Sequence, residues 1–388
     1  MSKSLPTEII THEIFSKLPV KSLLRFKCVS KSYNALISSP EFVELHLRES
    51  RSSDANRVLI VAGKGRRNLY SIDVDSPDDS VTTIPIQRTQ DESTPDKVSI
   101  VGSVDGLICV VRATDTWSIP KYKYIIVNPC TRVFREILYT STHNFFLLDK
   151  MVSSFGFGFD DLNNDYKLVT VMDVEHFYQP ERDTYRETYR EVMVYSLNQN
   201  TWKLVERVKD RIDSLMVSQN GALLKNNLLH WLFSDLNDCR IGCFDIRSDK
   251  WARDVPLTMN LYEHDEIRVR RLGVINGCLC LSTATNSSGV VWMMKDYETK
   301  ESWVKLFHIT PFLGPPPFVK FTEPFFCFRR ASKYEVLVAD LDMQRLFWFD
   351  IGATTYGRAK SVKRIPAFVG GCLFTESLVQ IPGGRHIG

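Results

Sequence analysis

The chain has 388 residues, more than one ordinary domain needs, and its 44% hydrophobic and 24% charged residues build a globular core and exclude wholesale disorder. Its 49 basic and 46 acidic residues leave a formal charge of +3, far from the one-sided basic excess of nucleic-acid binders, so no nucleic acid is expected as a partner. No run of about 18 apolar residues occurs, so no spanning helix is expected, and Glu8 and Glu13 break the apolar core a secretory signal would need; the expected location is the cytosol or the nucleus, away from membranes.

From Pro6 to Leu18, Ile10, Ile14 and Leu18 recur every four residues and Ile9 and Phe15 widen the stripe, which predicts one helix with an apolar face. Pro19 stops it. The following "VKSLLRF" makes a second short element, with Leu23 and Leu24 apolar and Lys21, Arg25 and Lys27 turned to water. Ser30 is the N-cap of a third helix carrying Tyr33, Leu36 and Ile37. Ser39 caps a fourth, with Pro40 at its first position. Four short helices in about 45 residues cannot bury all their apolar surface, so a partner or a stabilising neighbour is implied.

Leu5-Pro6, the run from Leu18 to Lys31 ("LPVKSLLRFKCVSK"), Ile37 and the "PEF" beginning at Pro40 together resemble an F-box. The resemblance implies that residues 1–47 bind a Skp-type adaptor and, through it, a cullin scaffold. It assigns the adaptor contact to Leu5, Pro6, Ile10, Ile14, Leu18, Pro19, Leu24 and Val29. Tyr33 stands where the family usually has Trp; an aromatic is retained, so the packing should survive.

Residues 48–57, "RESRSSDANR", are polar without apolar period and read as a connector. Beyond them the pattern changes to repeated strand, polar turn and aromatic: "IIVNPCTRVFREI", "VMVYSLNQNTWKLV", "IGCFDIRSDKWARDV" and "VWMMKDYETKESWVKL". Weaker copies are "LFWFDIGATTYGRAKSV" and "LYSIDVDSPDDSVTTI". Val81, Phe134, Trp202, Trp251, Trp303 and Tyr356 occupy equivalent positions, spaced by 53, 68, 49, 52 and 53 residues. The long interval holds "EHFYQPERDTYRETYRE", which reads as an insert of about 16 residues. Each repeat opens with a hairpin pattern, "VGSVDGLICVV", "QNGALLKNNLLHWLF" or "LGVINGCLCLS", in which Asp-Gly or Asn-Gly turns adjoin apolar strands.

Four strands per unit at a period near 50 residues predict a kelch-like β-propeller of about six repeats over residues 58–380, with 381–388 as a tail. The fold class is therefore multidomain, a small all-α module followed by an all-β propeller-like domain. The first unit supplies three clear strands, and "FVGGCLFTESLVQI" near the C-terminus supplies a spare one to complete it. Residues 58–380, especially "FGFGFDDLNNDYKLV", "VWMMKDYETKESWVKL" and "NGCLCLS", resemble the F-box-associated domain of the plant group that includes pathogen-response and S-locus F-box proteins. Those relatives act as substrate receptors.

Catalytic and metal patterns fall short. Nine cysteines, an odd number scattered through apolar runs, read as reduced core residues, and Cys239 and Cys243 lack a second ligand pair at zinc spacing. Asp161, Asn163 and Asp165 imitate a calcium loop, but Tyr166 replaces the required Gly and Met172 the bidentate Glu. "GKGRR" and "GFGFDD" lack the remaining residues of phosphate-binding loops, no Ser elbow occurs, and the eight histidines are too dispersed to pair with a nucleophile. No catalytic residue, cofactor or metal is expected.

The sequence thus reads as a substrate receptor of a Skp–cullin–F-box ubiquitin ligase, bringing an unidentified target protein close to activated ubiquitin. The alternatives are a propeller scaffold acting outside a ubiquitin ligase and a propeller enzyme with a pocket on one face. Three segments are longer than strand connection requires: 175–191, 258–271 and 308–321. The first interleaves tyrosines with arginines, the residue types that most often anchor interfaces. Tyr178, Tyr185, Arg186 and Tyr189 are accordingly the expected target contacts.

Overall fold

A computed structural model describes residues 7–52, 57–63, 68–73, 81–86, 96–114, 121–139, 148–178, 185–208, 215–216, 220–224, 226–234, 239–257, 269–284, 289–309, 324–330, 333–340, 345–350, 360–361 and 368–387. The N-terminal helical segment is not one regular helix: α1 (Thr7–Ile9) runs into a π turn (Ile10–Ile14) and a 3₁₀ turn (Phe15–Lys17). Three isoleucines and two threonines among these residues favour a helix poorly. The wider turn also lets Phe15 face inward while Ile14 faces out. α2 (Val20–Phe26), α3 (Lys31–Ser38) and α4 (Pro40–Ser52) follow. The caps are those expected: the Tyr33 amide donates to Ser30 Oγ at 3.1 Å and the Phe42 amide to Ser39 Oγ at 3.2 Å.

The expected connector is partly helix, because α4 extends to Ser52 and the first strand begins at Arg57. Arg48 and Arg51 face water at this helix end while Ser50 is buried, so a polar run that suits a linker suits an amphipathic helix end as well.

Six antiparallel sheets are built from β1 (Arg57–Gly63), β2 (Asn68–Asp73), β3 (Val81–Pro85); β4 (Asp96–Val104), β5 (Leu107–Thr114), β6 (Lys121–Asn128), β7 (Val133–Leu138); β8 (Leu148–Asp160), β9 (Asp165–Tyr178), β10 (Tyr185–Ser196), β11 (Thr201–Val208); β12 (Leu215–Met216), β13 (Ala222–Leu223), β14 (Leu228–Ser234), β15 (Cys239–Asp245), β16 (Lys250–Trp251); β17 (Val269–Ile275), β18 (Cys278–Ala284), β19 (Gly289–Met294), β20 (Trp303–Ile309); and β21 (Pro324–Arg330), β22 (Lys333–Asp340), β23 (Arg345–Asp350), β24 (Lys360–Ser361). The spare C-terminal strand behaves as expected: β25 (Phe368–Thr375) pairs with β1 and completes the first sheet. The expected tail is not one, since Ile381 is buried and β26 (Arg385–His386) pairs with β7.

The turns follow from their residues. Asp105-Gly106 and Asn276-Gly277 have positive φ throughout (54° and 76°, 51° and 78°), which matches the twist of the two-residue hairpins β4–β5 and β17–β18. A side chain at Gly106 would also collide with Ser377. The third expected turn is displaced: the reversal before β14 uses Asn227 at φ 64°, whereas Gly221 packs on Trp231. In three outer hairpins one positive-φ residue, Arg132, Asn200 or Asp249, precedes the repeated aromatic by two positions. That aromatic then pairs with an apolar partner: Phe134 with Val127, Trp202 with Tyr195, Trp251 with Phe244.

The chain divides into two compact units. In the first, the helices, the first two sheets and residues 370–388 cohere. Ile60, Leu69 and Ile84 meet Ile100, Ile125 and Phe134 across the sheets, and Leu378 joins the core of the helical module. Asn128 is fully buried there. Its Nδ2 donates to the carbonyls of Ser377 and Val379 at 3.2 and 2.8 Å, and its Oδ1 accepts from the amides of Cys130 and Thr131 at 3.0 and 3.3 Å. In the second unit β8 packs on β13 and β14, these on β17, and β17 on β21. Val169, Val171, Val192 and Val194 of one sheet bury against Trp231, Phe233 and Phe244 of the next.

In its described residues, 175–178 and 185–191, the segment that breaks the repeat is strand. β9 and β10 are 14 and 12 residues long, paired continuously up to Tyr185 opposite Tyr178. The extra residues lengthen a hairpin because alternating side chains such as those of "ETYREVMVYS" satisfy the period of a strand.

Candidate functional site

The helical module packs around a core that Leu378 of the C-terminal segment completes. Phe15, Val20, Leu23, Ile37 and Phe42 are buried, and Phe15, Phe26 and Tyr33 interlock with ring centroids 5.2–6.4 Å apart. Tyr33 therefore supplies the aromatic packing expected of it. His46 is buried and donates from Nε2 to the Leu18 carbonyl at 2.9 Å, tying α4 to the turn before Pro19. Burial lowers its pKa, so it stays neutral.

Outside that core lies a second apolar set. Ile9, Ile14 and Val29 are 44%, 39% and 67% exposed, and Pro19 is exposed beside them in sequence. The apolar stripe of the sequence therefore divides, with Phe15 inward, Ile9 and Ile14 outward, and Ile10, Leu18 and Leu24 half-buried against the module core. Among the eight residues the resemblance assigned to adaptor contact, Ile14, Pro19 and Val29 are free to meet another protein. Leu5 and Pro6 lie outside the described residues. Lys21 and Arg25 face water as expected, while Lys27 is half-buried and its pKa is lowered by that burial.

On the β-domain, backbone register sets Tyr185 opposite Tyr178, Arg186 opposite Phe177 and Tyr189 opposite Val174. Tyr189 does not fit the role of an exposed anchor. It is buried with Met172 and Val174, and the Arg207 guanidinium lies 4.7 Å from its ring centroid. Its place in the extended hairpin turns it to the interior of the sheet stack, which tyrosine spacing alone could not reveal. Of the other two candidate segments, 258–271 and 308–321, residues 258–268 and 310–321 lie outside the described residues, and the remainder belongs to β17 and β20.

The structure brings together a cluster the sequence could not pair. His230 Nδ1 donates to the Ala222 carbonyl at 3.2 Å, and Tyr297 Oη donates to His230 Nε2 at 2.7 Å. Cys243 Sγ is 3.5 Å from the same Nε2. A thiol beside an imidazole is the raw material of nucleophilic catalysis. Here burial pushes the thiol up to about 11 and the imidazole down to about 4, so both are neutral and no thiolate is poised to attack. The partners stand 13 and 67 residues from His230, beyond any local pattern.

The acidic turn that imitated a calcium loop is likewise satisfied by protein groups. Arg247 donates from Nε to Asp161 Oδ1 at 2.6 Å and from Nη2 to Asp161 Oδ2 at 2.7 Å. Lys167 Nζ sits 2.9 Å from buried Asp160 and 2.8 Å from Asp249. Burial raises the Asp160 carboxyl, but hydrogen bonds from Asn163 and Lys167 outweigh it and hold the pKa below the usual range.

Between β10–β11 and β14–β16 a cleft of about 320 Å³ opens, lined by Arg190, Val192, Glu206, Phe233, Arg240 and Trp251 among others.

Comparison with known proteins accounts for both halves of the chain. Residues 3–45 match the F-box domain, and residues 58–381 match the F-box associated beta propeller domain. F-box protein CPR1 of Arabidopsis thaliana is 27% identical over 97% of this chain and 89% of its own length. F-box protein At4g22390 of the same plant is 29% identical, with 89% and 83% covered. F-box/kelch-repeat protein At3g23880, also from Arabidopsis thaliana, is 27% identical over 80% and 82%. Helical module, six-sheet β-domain and relatives coincide, and the chain belongs to the family of plant F-box proteins with an F-box-associated β-propeller domain.

Proposed function

We propose that this protein is the substrate receptor of a Skp–cullin–F-box ubiquitin ligase. Its helices dock a Skp-type adaptor, the adaptor links it to a cullin, and the β-domain holds a target protein for ubiquitination and proteasomal degradation. The observation that carries the reading is the second apolar set, Ile9, Ile14 and Val29, left in water outside a core that the helices and Leu378 already close. The protein itself makes and breaks no bond. It acts by proximity, holding a target lysine near activated ubiquitin so that transfer takes place within one complex. It works in the cytosol or the nucleus, where its thiols stay reduced.

The test is affinity capture from plant cells under proteasome inhibition, comparing the full chain with Ile14→Asp/Val29→Asp. Point variants are preferable to deleting the helices, because Leu378 is buried against them. Recovery of a Skp-type adaptor and a cullin with the wild-type chain alone, and of ubiquitinated proteins that accumulate on it, supports the function. Equal recovery of the adaptor by both chains overturns the docking face.

A further inference from the structure

Arg190 and Val192 lie on β10 where the lengthened hairpin joins the regular repeat, and Glu206 lies opposite Val192 on β11, so the three share one face of that sheet. Across from them stand Phe233 on β14, Arg240 paired with it on β15, and Trp251 on β16. Trp251 is the half-buried aromatic of the cleft, backed by buried apolar residues. Val192 and Phe233 are buried, and Trp251 packs edge-on against Phe233, Trp231 and Phe244 with centroids 5.5–5.9 Å apart.

Both cations of the cleft are already engaged. Arg190 Nε donates to Asp173 Oδ1 at 2.7 Å and Arg240 Nη1 to Asp254 Oδ2 at 2.9 Å, and the two guanidinium carbons stand 5.8 and 4.4 Å from the centre of the Phe233 ring. Those pairs cancel in charge. Glu206 is different: it is half-buried at the cleft and has no hydrogen bond or ion pair among the described residues. Burial alone raises its pKa, the mark of a carboxylate stripped of some water without a cation in return. Among the described residues the cleft therefore carries one carboxylate without a paired cation, beside Trp251.

We infer that this cleft docks the target by receiving a lysine or arginine side chain of an exposed peptide segment. The aliphatic stem lies on the half-buried Trp251 as a long basic side chain covers apolar surface elsewhere, and the cationic head pairs with Glu206. An acidic guest would have to separate Arg190 or Arg240 from its own aspartate. The volume suits one long side chain and the backbone that carries it. This inference rests on the substrate-receptor reading for its biological role, but the binding itself does not depend on an adaptor.

The experiment uses the full chain labelled with 5-fluorotryptophan, the Trp251 resonance being identified by its loss in Trp251→Phe. The probes are Ser-Gly-Leu-X-Leu-Gly-Ser peptides with X as arginine, lysine, citrulline or glutamate. The arginine and lysine peptides should shift the Trp251 signal saturably. Citrulline, which keeps the shape and loses the charge, and glutamate should bind at least about tenfold more weakly. Glu206→Gln should lose the same factor for the basic peptides while melting and adaptor binding are unchanged. The inference is overturned if no basic peptide gives a saturable shift at millimolar concentration, if citrulline or glutamate binds as well as arginine, or if Glu206→Gln binds as the wild type does. Failure of adaptor binding in the wild-type chain would overturn the ligase role instead and leave the cleft result standing.

Discussion

Truncating Ile14 and Val29 to alanine together should weaken adaptor binding without weakening the fold. Full burial of such side chains stabilises a contact by about 1.5–3 kcal/mol each. In the free chain Ile14 is 39% and Val29 67% exposed, so only that share remains to be gained on binding. Scaling by it gives about 1 kcal/mol for each residue, and about 2 kcal/mol for the pair corresponds to about a thirtyfold rise in Kd. Stability should change by no more than about 0.5 kcal/mol, as is usual for surface positions. Titration calorimetry with a purified Skp-type adaptor, beside thermal melting of the free chain, measures both quantities. Leu23→Ala is the contrast, since that side chain is wholly buried and its loss should cost about 3 kcal/mol of stability. Charges placed at Leu18 or Leu24 would not discriminate, because both pack against the module core. A Kd within about threefold of wild type for the double variant would refute the assignment of these residues to the docking face.

Two further outcomes follow from buried polar groups. Asn128→Ala leaves two carbonyls and two amides without the side chain that serves all four, and should cost about 3 kcal/mol or more, read by denaturant unfolding. His230 has its pKa depressed from 6.5 to about 4, so the unfolded chain binds a proton that the folded chain refuses between those values. Its contribution is intact above about pH 6.5 and is lost as pH falls toward 4, by about 3 kcal/mol in all. His230→Asn should flatten the pH dependence of stability in that window, and an unchanged slope would place the acid sensitivity elsewhere.

Much of this protein is written in short-range chemistry. Ser30 and Ser39 declare helix starts because a hydroxyl next to unpaired amides is a local arrangement, and Pro40 follows for the same reason. Asp105-Gly106 and Asn276-Gly277 declare hairpins because only such residues adopt left-handed backbone cheaply. The aromatic recurring near every fifty residues declares equivalent hairpins, and a three-stranded first unit with a spare strand at the other end declares their pairing. Each signal sits within a few residues of what it specifies.

The site needed the tertiary structure. Ile14 and Phe15 are neighbours of similar hydrophobicity, and a π turn sends one outward and the other into the core. Tyr189 looks like an interface residue until the lengthened hairpin buries it. Leu378 completes a core formed by residues more than three hundred positions earlier, and His230 meets Tyr297 from 67 residues away. Glu206 shares a cleft with Phe233, Arg240 and Trp251 only because the next sheet brings them opposite it. Sequence periodicity states that a residue has a face; which face is covered depends on surfaces assembled from distant parts of the chain, and their packing is a property of the whole fold.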